Sequence, residues 1–89
     1  MPIEYEWDEG KRLSNKLKHG VDFSEVTDLE WETAVIQSSP RGGEIRYTAM
    51  GFIHGRLHFL VFTTRSGNLR IVSLRKANRR ERIHYERQR

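Results

Sequence analysis

Three consecutive segments with apolar side chains at alternate positions constrain the fold of this chain more than any other feature. They are residues 45–53, 57–64 and 69–75, and only two short segments, 54–56 and 65–68, separate them. A period of two is typical of β-strands, and short connections that contain glycine are typical of hairpins. The three segments therefore predict an antiparallel meander.

Two further strands are predicted before the meander. Residues 3–7 alternate apolar and acidic side chains, which predicts a short edge strand, and residues 33–37 predict another. Residues 38–43, with the sequence Ser-Ser-Pro-Arg-Gly-Gly, are rich in turn formers and predict a loop.

Capping residues predict the first helix. Asp8 fits the N-cap of a helix that runs to about Lys18, and Gly20 fits the stop at its C-terminal end. Leu13 and Leu17 lie one turn apart within this helix, which agrees with the helical period.

Two more helices are predicted from pairs of capping residues three positions apart. Asp22 with Glu25 resembles a capping box and predicts a short second helix. Asn78 with Glu81 predicts a last helix that ends near Gln88 and has few apolar positions. The second helix would carry apolar side chains along one side, namely Phe23, Val26 and Leu29.

The resulting order is β-α-α-β-β-β-β-α, which indicates an α+β fold. We expect an antiparallel sheet of four to five strands, with the helices mainly on one face and the other face free for a ligand. Residues 1–89 contain no internal repeat or linker and are expected to form a single domain.

Composition argues against several other classes of protein. The chain has no cysteine, and its four histidines show no metal-ligand spacing, so we expect neither a disulfide framework nor a metal site, and no cofactor. The N-terminus is acidic and lacks the pattern of a signal peptide. No apolar segment reaches the length of a membrane span, so we expect a cytoplasmic protein.

The charge distribution is strongly asymmetric. Residues 1–10 and 21–40 carry four and five acidic residues and no lysine or arginine, whereas residues 65–89 carry nine basic residues against two acidic ones. Such a basic segment predicts contact with nucleic acid or with an acidic partner, although a solvated helix surface would have the same composition.

Strand alternation predicts where the last strand presents its side chains. Arg70, Val72 and Leu74 share one side, and Ile71, Ser73 and Arg75 share the other. Because Val72 and Leu74 are apolar, we expect them to meet the helices. This leaves Ser73 and Arg75 on the open face of the sheet.

Several cations are expected to converge near the start of the last helix and on the open face. Unpaired N–H groups and the helix dipole make that helix start attractive to a phosphate, and guanidinium groups bind phosphate oxygens in pairs. The candidate residues are Arg46, Arg65, Arg75, Lys76, Arg79 and Arg80.

Cleavage of RNA without a metal also requires a group that moves protons, a task for which arginine is unsuited because it stays protonated. Each of three candidates has a structural alternative: Glu81 as a helix cap, His58 as a strand residue and Tyr85 as an anchor of the last helix. The sequence leaves these alternatives open. The full set of candidate acids and bases is His58, His84, Lys76, Glu81 and Tyr85.

Four segments of the chain together resemble the BrnT family of toxins from type II toxin–antitoxin systems. The resemblance extends from about Tyr5 to Glu86. The segments are residues 6–11 (Glu-Trp-Asp-Glu-Gly-Lys), 15–23 (Asn-Lys-Leu-Lys-His-Gly-Val-Asp-Phe), 46–51 (Arg-Tyr-Thr-Ala-Met-Gly) and 70–77 (Arg-Ile-Val-Ser-Leu-Arg-Lys-Ala), followed by Glu81 and Tyr85.

The resemblance implies a RelE-like fold and metal-independent RNA cleavage that inhibits translation and growth. It also implies a BrnA-like DNA-binding antitoxin, a toxin–antitoxin heterotetramer, and contact with promoter DNA only through that complex. On the same resemblance, the site residues are expected to be Arg65, Arg75, Lys76, Glu81 and Tyr85 for catalysis and Arg46, Arg79 and Arg80 for RNA phosphates. The alternative is a non-catalytic module that uses the same basic surface to bind nucleic acid or a partner.

Overall fold

The computed structural model describes residues 3–88 and forms an α+β fold. The strands within this range are β1 (Tyr5–Trp7), β2 (Val35–Arg41), β3 (Glu44–Ile53), β4 (Arg56–Arg65) and β5 (Asn68–Lys76). The α-helices are α1 (Glu9–His19) and α2 (Arg79–Gln88), and 3-10 helices cover Phe23–Asp28 and Trp31–Thr33. The order of elements agrees with the sequence prediction, and the predicted second helix takes the tighter 3-10 form.

All five strands form one sheet in the order β1-β5-β4-β3-β2. Strands β2 to β5 pair antiparallel with their neighbours in sequence, which confirms the meander. Strand β1 instead runs parallel to β5, with Glu6 opposite Arg70, so the prediction of a purely antiparallel sheet is wrong. Alternation does not encode strand direction, and a strand that no hairpin joins to its neighbour is free to run either way.

Strand β2 is longer than its sequence pattern predicts. It continues through Pro40 to Arg41, and only Gly42 and Gly43, with φ angles of 52° and 83°, form the turn to β3. Because β2 lies at the edge of the sheet, a proline there is tolerated. Most of the loop predicted for residues 38–43 is therefore strand.

The first core lies between α1, the first 3-10 helix and one face of the sheet, which we call the α1 face. Asp22 and Glu25 form the predicted capping box and set the start of that 3-10 helix. The buried apolar residues of this core are Val21, Phe23, Val26, Leu29, Ala49, Ile53, Leu60, Phe62, Ile71 and Leu74.

The second core lies on the opposite face, which we call the α2 face, where Met50, Leu57, Ala77 and Tyr85 are buried together. Helix α1 and both 3-10 helices thus lie on the α1 face, and α2 covers part of the face that was expected to be free for a ligand. Strands β3 and β4 carry apolar side chains on both sides, so both faces need cover. Helix α2 has only ten residues and covers one end of its face.

A β-bulge in β5 changes the predicted alternation. Val61 lies opposite Ser73 and Phe62 lies opposite Ile71, so Val72 has no partner on β4. The extra residue brings Ile71 to the same core as Leu74. The prediction that Ile71 shares a face with Ser73 and Arg75 is therefore wrong, whereas the opposite placement of Leu74 and Arg75 is confirmed.

Helix α1 has the predicted ends. The Asp8 carboxylate accepts a hydrogen bond from the Lys11 N–H, and Gly20, with φ of 73°, donates its N–H to the Lys16 carbonyl. Its two leucines, however, point away from the sheet, since Leu13 is 56% exposed and Leu17 is 91% exposed. They therefore contribute little to the core.

The residue of α1 that is buried is Asn15. Its Nδ2 donates to the carbonyls of Leu74 at 2.6 Å and Val21 at 3.1 Å, and its Oδ1 accepts from the Leu74 N–H at 3.3 Å. Strand β1 pairs with β5 only as far as Ile71, so the edge of β5 beyond that point has no strand beside it. The amide of Asn15 satisfies the buried backbone groups that a further strand would have satisfied.

Candidate functional site

A cleft of about 340 Å³ lies between α2 and the α2 face of the sheet. The sheet supplies a largely apolar floor with two polar side chains, and α2 supplies a rim of charged and titratable groups. A few polar groups around an apolar floor are usual in ligand-binding pockets. We call this site the α2 cleft, and it is lined by Val35, Gln37, Thr48, Met50, Phe59, Arg80, Glu81 and His84.

Arg75 and Glu81 form a two-point ion pair beside this cleft. The Arg75 Nη1 and Nη2 atoms each donate to one Glu81 carboxylate oxygen at 2.8 Å. The Arg75 guanidinium also lies 4.7 Å from the centre of the Phe59 ring, within the range of a cation–π contact. The Arg75 guanidinium thus joins strands β4 and β5 to helix α2.

Glu81 also begins helix α2. Its Oε1 accepts from the Asn78 N–H at 2.9 Å, and its own N–H donates to the Asn78 Oδ1 at 2.8 Å, which confirms the predicted capping pair. The carboxylate therefore accepts three hydrogen bonds. It holds Arg75 and the helix start in position, and little of its capacity remains for a substrate proton.

We expect the substitution Glu81→Gln to destabilise the fold near neutral pH and to have little effect in acid. The hydrogen bonds from Arg75, aided by that from Asn78, lower the pKa of Glu81 despite its partial burial. Because the pKa is lower in the folded than in the unfolded chain, the stabilisation is complete above the ordinary carboxyl range and is lost as the pH falls through the lowered pKa. Urea unfolding at about pH 7 and about pH 2.5 measures this, and an equal difference at both values would contradict it.

Tyr85 lies in the second core, where it is only 2% exposed. Its hydroxyl donates to the Thr33 carbonyl at 2.8 Å, and its ring makes an edge contact with Phe52. These contacts fasten α2 to the segment before β2. The structure therefore places Tyr85 beneath the helix and away from the cleft.

We expect Tyr85→Phe to lower the free energy of unfolding by about 1 kcal/mol, the usual value of one hydrogen bond, and to leave unchanged the RNA cleavage that the family resemblance implies. The ring and its packing are retained, and only the bond to Thr33 is lost. Thermal unfolding together with a cleavage assay at a temperature where both proteins are folded checks this. A large loss of cleavage by the folded variant would return Tyr85 to the catalytic set.

Two histidines were candidates for proton transfer, and the structure separates them. His58 is 3% exposed, and its Nδ1 lies 2.7 Å from the Arg56 carbonyl of the same strand. His84 lies on an exposed turn of α2 and lines the cleft, one helical turn after Glu81 and Arg80. Of the two, only His84 can meet a ligand in the cleft.

A second group of cations lies at the other end of the same sheet face. Arg46 and Arg65 belong to the sets of alternating side chains that include Thr48 and Phe59, so they project from the α2 face. Arg46 lies two residues along β3 from Thr48, about 7 Å, and Arg65 lies six residues along β4 from Phe59, about 20 Å. The Arg46 Nε is buried and has no hydrogen-bond acceptor within residues 3–88.

The structure does not bring the remaining predicted cations into the cleft. Lys76 lies opposite His58 and alternates with Arg75, so it projects from the α1 face. Arg79 lies in the first turn of α2 and lines a groove on the outer side of that helix. The expectation of a single convergent patch thus gives way to two groups, Arg75 with Arg80 at the cleft and Arg46 with Arg65 beyond it.

The floor of the cleft is not evident from the sequence. Gln37 and Thr48 belong to two predicted strands, but no pattern indicates that they and Phe59 lie under α2. Two other aromatic residues, Trp31 and Tyr47, lie away from the cleft and contact Phe62 in the first core. A search for polar residues on an otherwise apolar sheet face could have selected Gln37 and Thr48.

Two further features concern only the residues that the structure describes. No group of three or more histidine, aspartate or glutamate side chains between residues 3 and 88 is arranged to hold a metal ion. Helix α1, the longest in this range, has eleven residues and is mostly polar, and no helix described here could span a membrane.

Comparison with known proteins gives a family but no close relative. Residues 7–81 match the family model described as the ribonuclease toxin, BrnT, of a type II toxin–antitoxin system. No curated protein and no solved structure matches the chain. The matched region begins in β1, ends at Glu81 and includes most of the residues that line the cleft. The chain therefore belongs to the BrnT family of ribonuclease toxins of type II toxin–antitoxin systems.

Proposed function

We propose that this chain is a metal-independent endoribonuclease that cleaves RNA in the α2 cleft. The observation that supports this most is the position of His84 and Arg80 on the rim of a cleft whose floor is largely apolar. A base can lie on Val35, Met50 and Phe59, and its phosphate then meets the α2 rim. The polar floor residues can form hydrogen bonds with the edge of the base.

In the proposed reaction, the His84 imidazole accepts the proton of a ribose 2′-hydroxyl. The 2′-oxygen then bonds to the adjacent phosphorus while the bond from phosphorus to the 5′-oxygen breaks. The departing 5′-oxygen takes a proton from water at the open side of the cleft, and the imidazolium returns its proton to solvent. The products are a 2′,3′-cyclic phosphate and a 5′-hydroxyl.

Arginine supplies the charge stabilisation in this proposal. Arg80 is exposed and makes no ion pair within residues 3–88, so it is available to a phosphoryl oxygen. Arg75 is held by Glu81 and retains further N–H groups, and its side chain is 30% exposed. We assign Glu81 and Tyr85 to positioning. Lys76, which projects from the other face, has no part in the reaction.

The distant cations extend the proposed path of the RNA. Arg46 lies two residues along β3 from Thr48 of the cleft, and Arg65 lies six residues along β4 from Phe59. A phosphate oxygen would provide an acceptor for the buried Arg46 Nε. We propose that they bind phosphates next to the one that is cleaved. Arg79, at the start of α2, binds a further phosphate of the RNA on the other side of the cleft.

The proposal also includes the finer features that the family resemblance implied. These are a RelE-like relationship, action on RNA in the cytoplasm and inhibition of translation and growth. They further include a BrnA-like DNA-binding antitoxin that forms a heterotetramer with the toxin and carries it to promoter DNA. Family membership supports an antitoxin partner in general.

The test is cleavage of one single-stranded RNA and of the same sequence made with 2′-deoxynucleotides, each with and without EDTA. We expect the RNA to be cut with or without EDTA, to give 5′-hydroxyl and 2′,3′-cyclic phosphate ends, and the DNA to stay intact. Cleavage of the DNA would exclude attack by the 2′-hydroxyl. RNA that is bound but never cut would favour the alternative, a binding module without catalysis.

A further inference from the structure

The outer side of α2 forms a second concave surface, in which Ile83 and Arg87 have no part in the proposed reaction. It is a groove with a volume of about 510 Å³. We call it the α2 groove, and it is lined by Arg79, Arg80, Ile83, His84 and Arg87. Arg80 and His84 line both the groove and the α2 cleft, so the two surfaces are continuous around the helix.

The groove combines cations with an exposed apolar side chain. Ile83 is one of the few apolar residues of α2, and its side chain is 44% exposed. Arg79, Arg80 and Arg87 make no ion pair within residues 3–88. The acidic residues of α2 do not line the groove, and Glu81 is turned towards Arg75. An apolar centre with a charged border is the usual form of a protein-binding surface.

These features favour an acidic protein segment over RNA as the occupant. The groove has no phenylalanine, tyrosine or tryptophan ring on which a base could stack, and its one imidazole, His84, is shared with the cleft, which also has Phe59. An aliphatic side chain at the centre instead fits an amphipathic helix that presents apolar side chains between acidic ones.

A second copy of this chain fits the groove poorly. The chain has a net charge of +4, and its acidic side chains near the first 3-10 helix are already engaged. Asp22 bonds to Arg12 and to the Ser24 N–H, and Asp28 bonds to His54. The net positive charge of each copy therefore disfavours self-association, and sedimentation of the free chain tests whether the exposed Glu30 and Glu32 overcome it.

We propose that the α2 groove is the docking surface for an acidic, amphipathic segment of the antitoxin. A segment that binds there covers Arg80 and His84 and thereby closes the edge of the cleft to RNA. This part of the inference rests on the proposed function, because it assumes that RNA uses these two residues. The docking itself is independent of catalysis.

The test measures binding of the purified full-length chain to its cognate antitoxin, produced from the paired gene, by titration calorimetry. The variants are Ile83→Glu and Arg87→Glu, neither of which alters a residue of the α2 cleft. We expect Ile83→Glu to weaken binding about a hundredfold and Arg87→Glu about tenfold, as is usual for a central and a peripheral contact. The matched control is Leu17→Glu on α1, which is also an exposed apolar residue, and we expect it to change binding less than about threefold.

Two further readouts separate the possible occupants. Affinity for a non-cleavable 2′-deoxy oligonucleotide should change less than about threefold in Ile83→Ala, which removes the aliphatic side chain outside the cleft without adding a negative charge beside the phosphate-binding arginines. Sedimentation should show the free chain to be monomeric. Unchanged antitoxin affinity in both groove variants, loss of affinity only in Leu17→Glu, or disruption of a self-associated form by Ile83→Glu would each overturn the proposal. If the chain binds the antitoxin as predicted but does not cleave RNA, only the proposed function is contradicted.

Discussion

Replacing His84 with alanine is expected to lower the rate of RNA cleavage about a thousandfold, within the usual range for loss of a group that transfers protons. The structure supports this because the other candidates are engaged or turned away. Glu81 accepts three hydrogen bonds, the Tyr85 hydroxyl is bonded to Thr33, and His58 is buried within β4. The Michaelis constant should change little, because Arg80 and Arg75 remain to bind phosphate.

The matched control for this variant is His54→Ala. His54 lies in the turn between β3 and β4, is exposed, and contacts Asp28 at 2.9 Å, away from the cleft. We expect its cleavage rate to stay within about twofold of the original, since its imidazole cannot take part in transfer at His84. Single-turnover kinetics on both variants measures the chemical step. A His84→Ala protein that is folded and cleaves at the original rate would contradict the proposed role.

Replacing Asn15 with alanine is expected to have the largest effect on stability, a loss of about 3 kcal/mol in the free energy of unfolding. The substitution removes three hydrogen bonds and leaves the N–H and carbonyl of Leu74 and the carbonyl of Val21 buried without their partner. Each such group costs about 1 kcal/mol or more. A domain of this size has a total stability of only about 5 to 10 kcal/mol.

The control for Asn15→Ala is Ser14→Ala, at the neighbouring exposed position of α1. We expect that variant to change stability by less than about 0.5 kcal/mol. Urea unfolding followed by circular dichroism measures both proteins. If Asn15→Ala loses less than about 1 kcal/mol, the amide does not take the place of a missing strand at the edge of β5.

The parts of the fold that the sequence predicted correctly depend on local interactions. The hairpins at Gly55 and Gly67 follow from two glycines with φ near 80° in short turns. The ends of α1 and of the first 3-10 helix follow from side chains that bond to backbone groups two or three residues away. Each of these interactions joins residues that are close together in sequence, so the sequence alone is enough to predict it.

The incorrect parts of the fold prediction depend on partners distant in sequence. The direction of β1 is set by its pairing with β5, more than sixty residues later. Leu13 and Leu17 have the period of a buried helix face, yet the face that meets the sheet carries Asn15, whose partner Leu74 lies 59 residues away. The bulge at Val72 reversed the expected side of Ile71, and no glycine or proline marks it.

For the candidate site, alternation was enough to place Arg75 on the face opposite Leu74. It could not show that Glu81 would pair with Arg75, because that contact depends on the direction in which α2 leaves β5. Glu81 and Tyr85 are four residues apart, so helical spacing puts them on one side of α2, but this spacing does not show that Tyr85 is buried. The combination of His84 and Arg80 with Gln37 and Thr48 required the packing of α2 on the sheet.

The most direct measurement is NMR mapping of the chain with a non-cleavable RNA that carries 2′-O-methyl groups. We predict that chemical shifts change most at the α2 cleft, where Gln37, Thr48, Phe59 and His84 are affected together. A second group of changes is expected near Arg46 and Arg65. Changes confined to the α1 face, around Lys11 and Lys18, with none at His84 or Phe59, would contradict it.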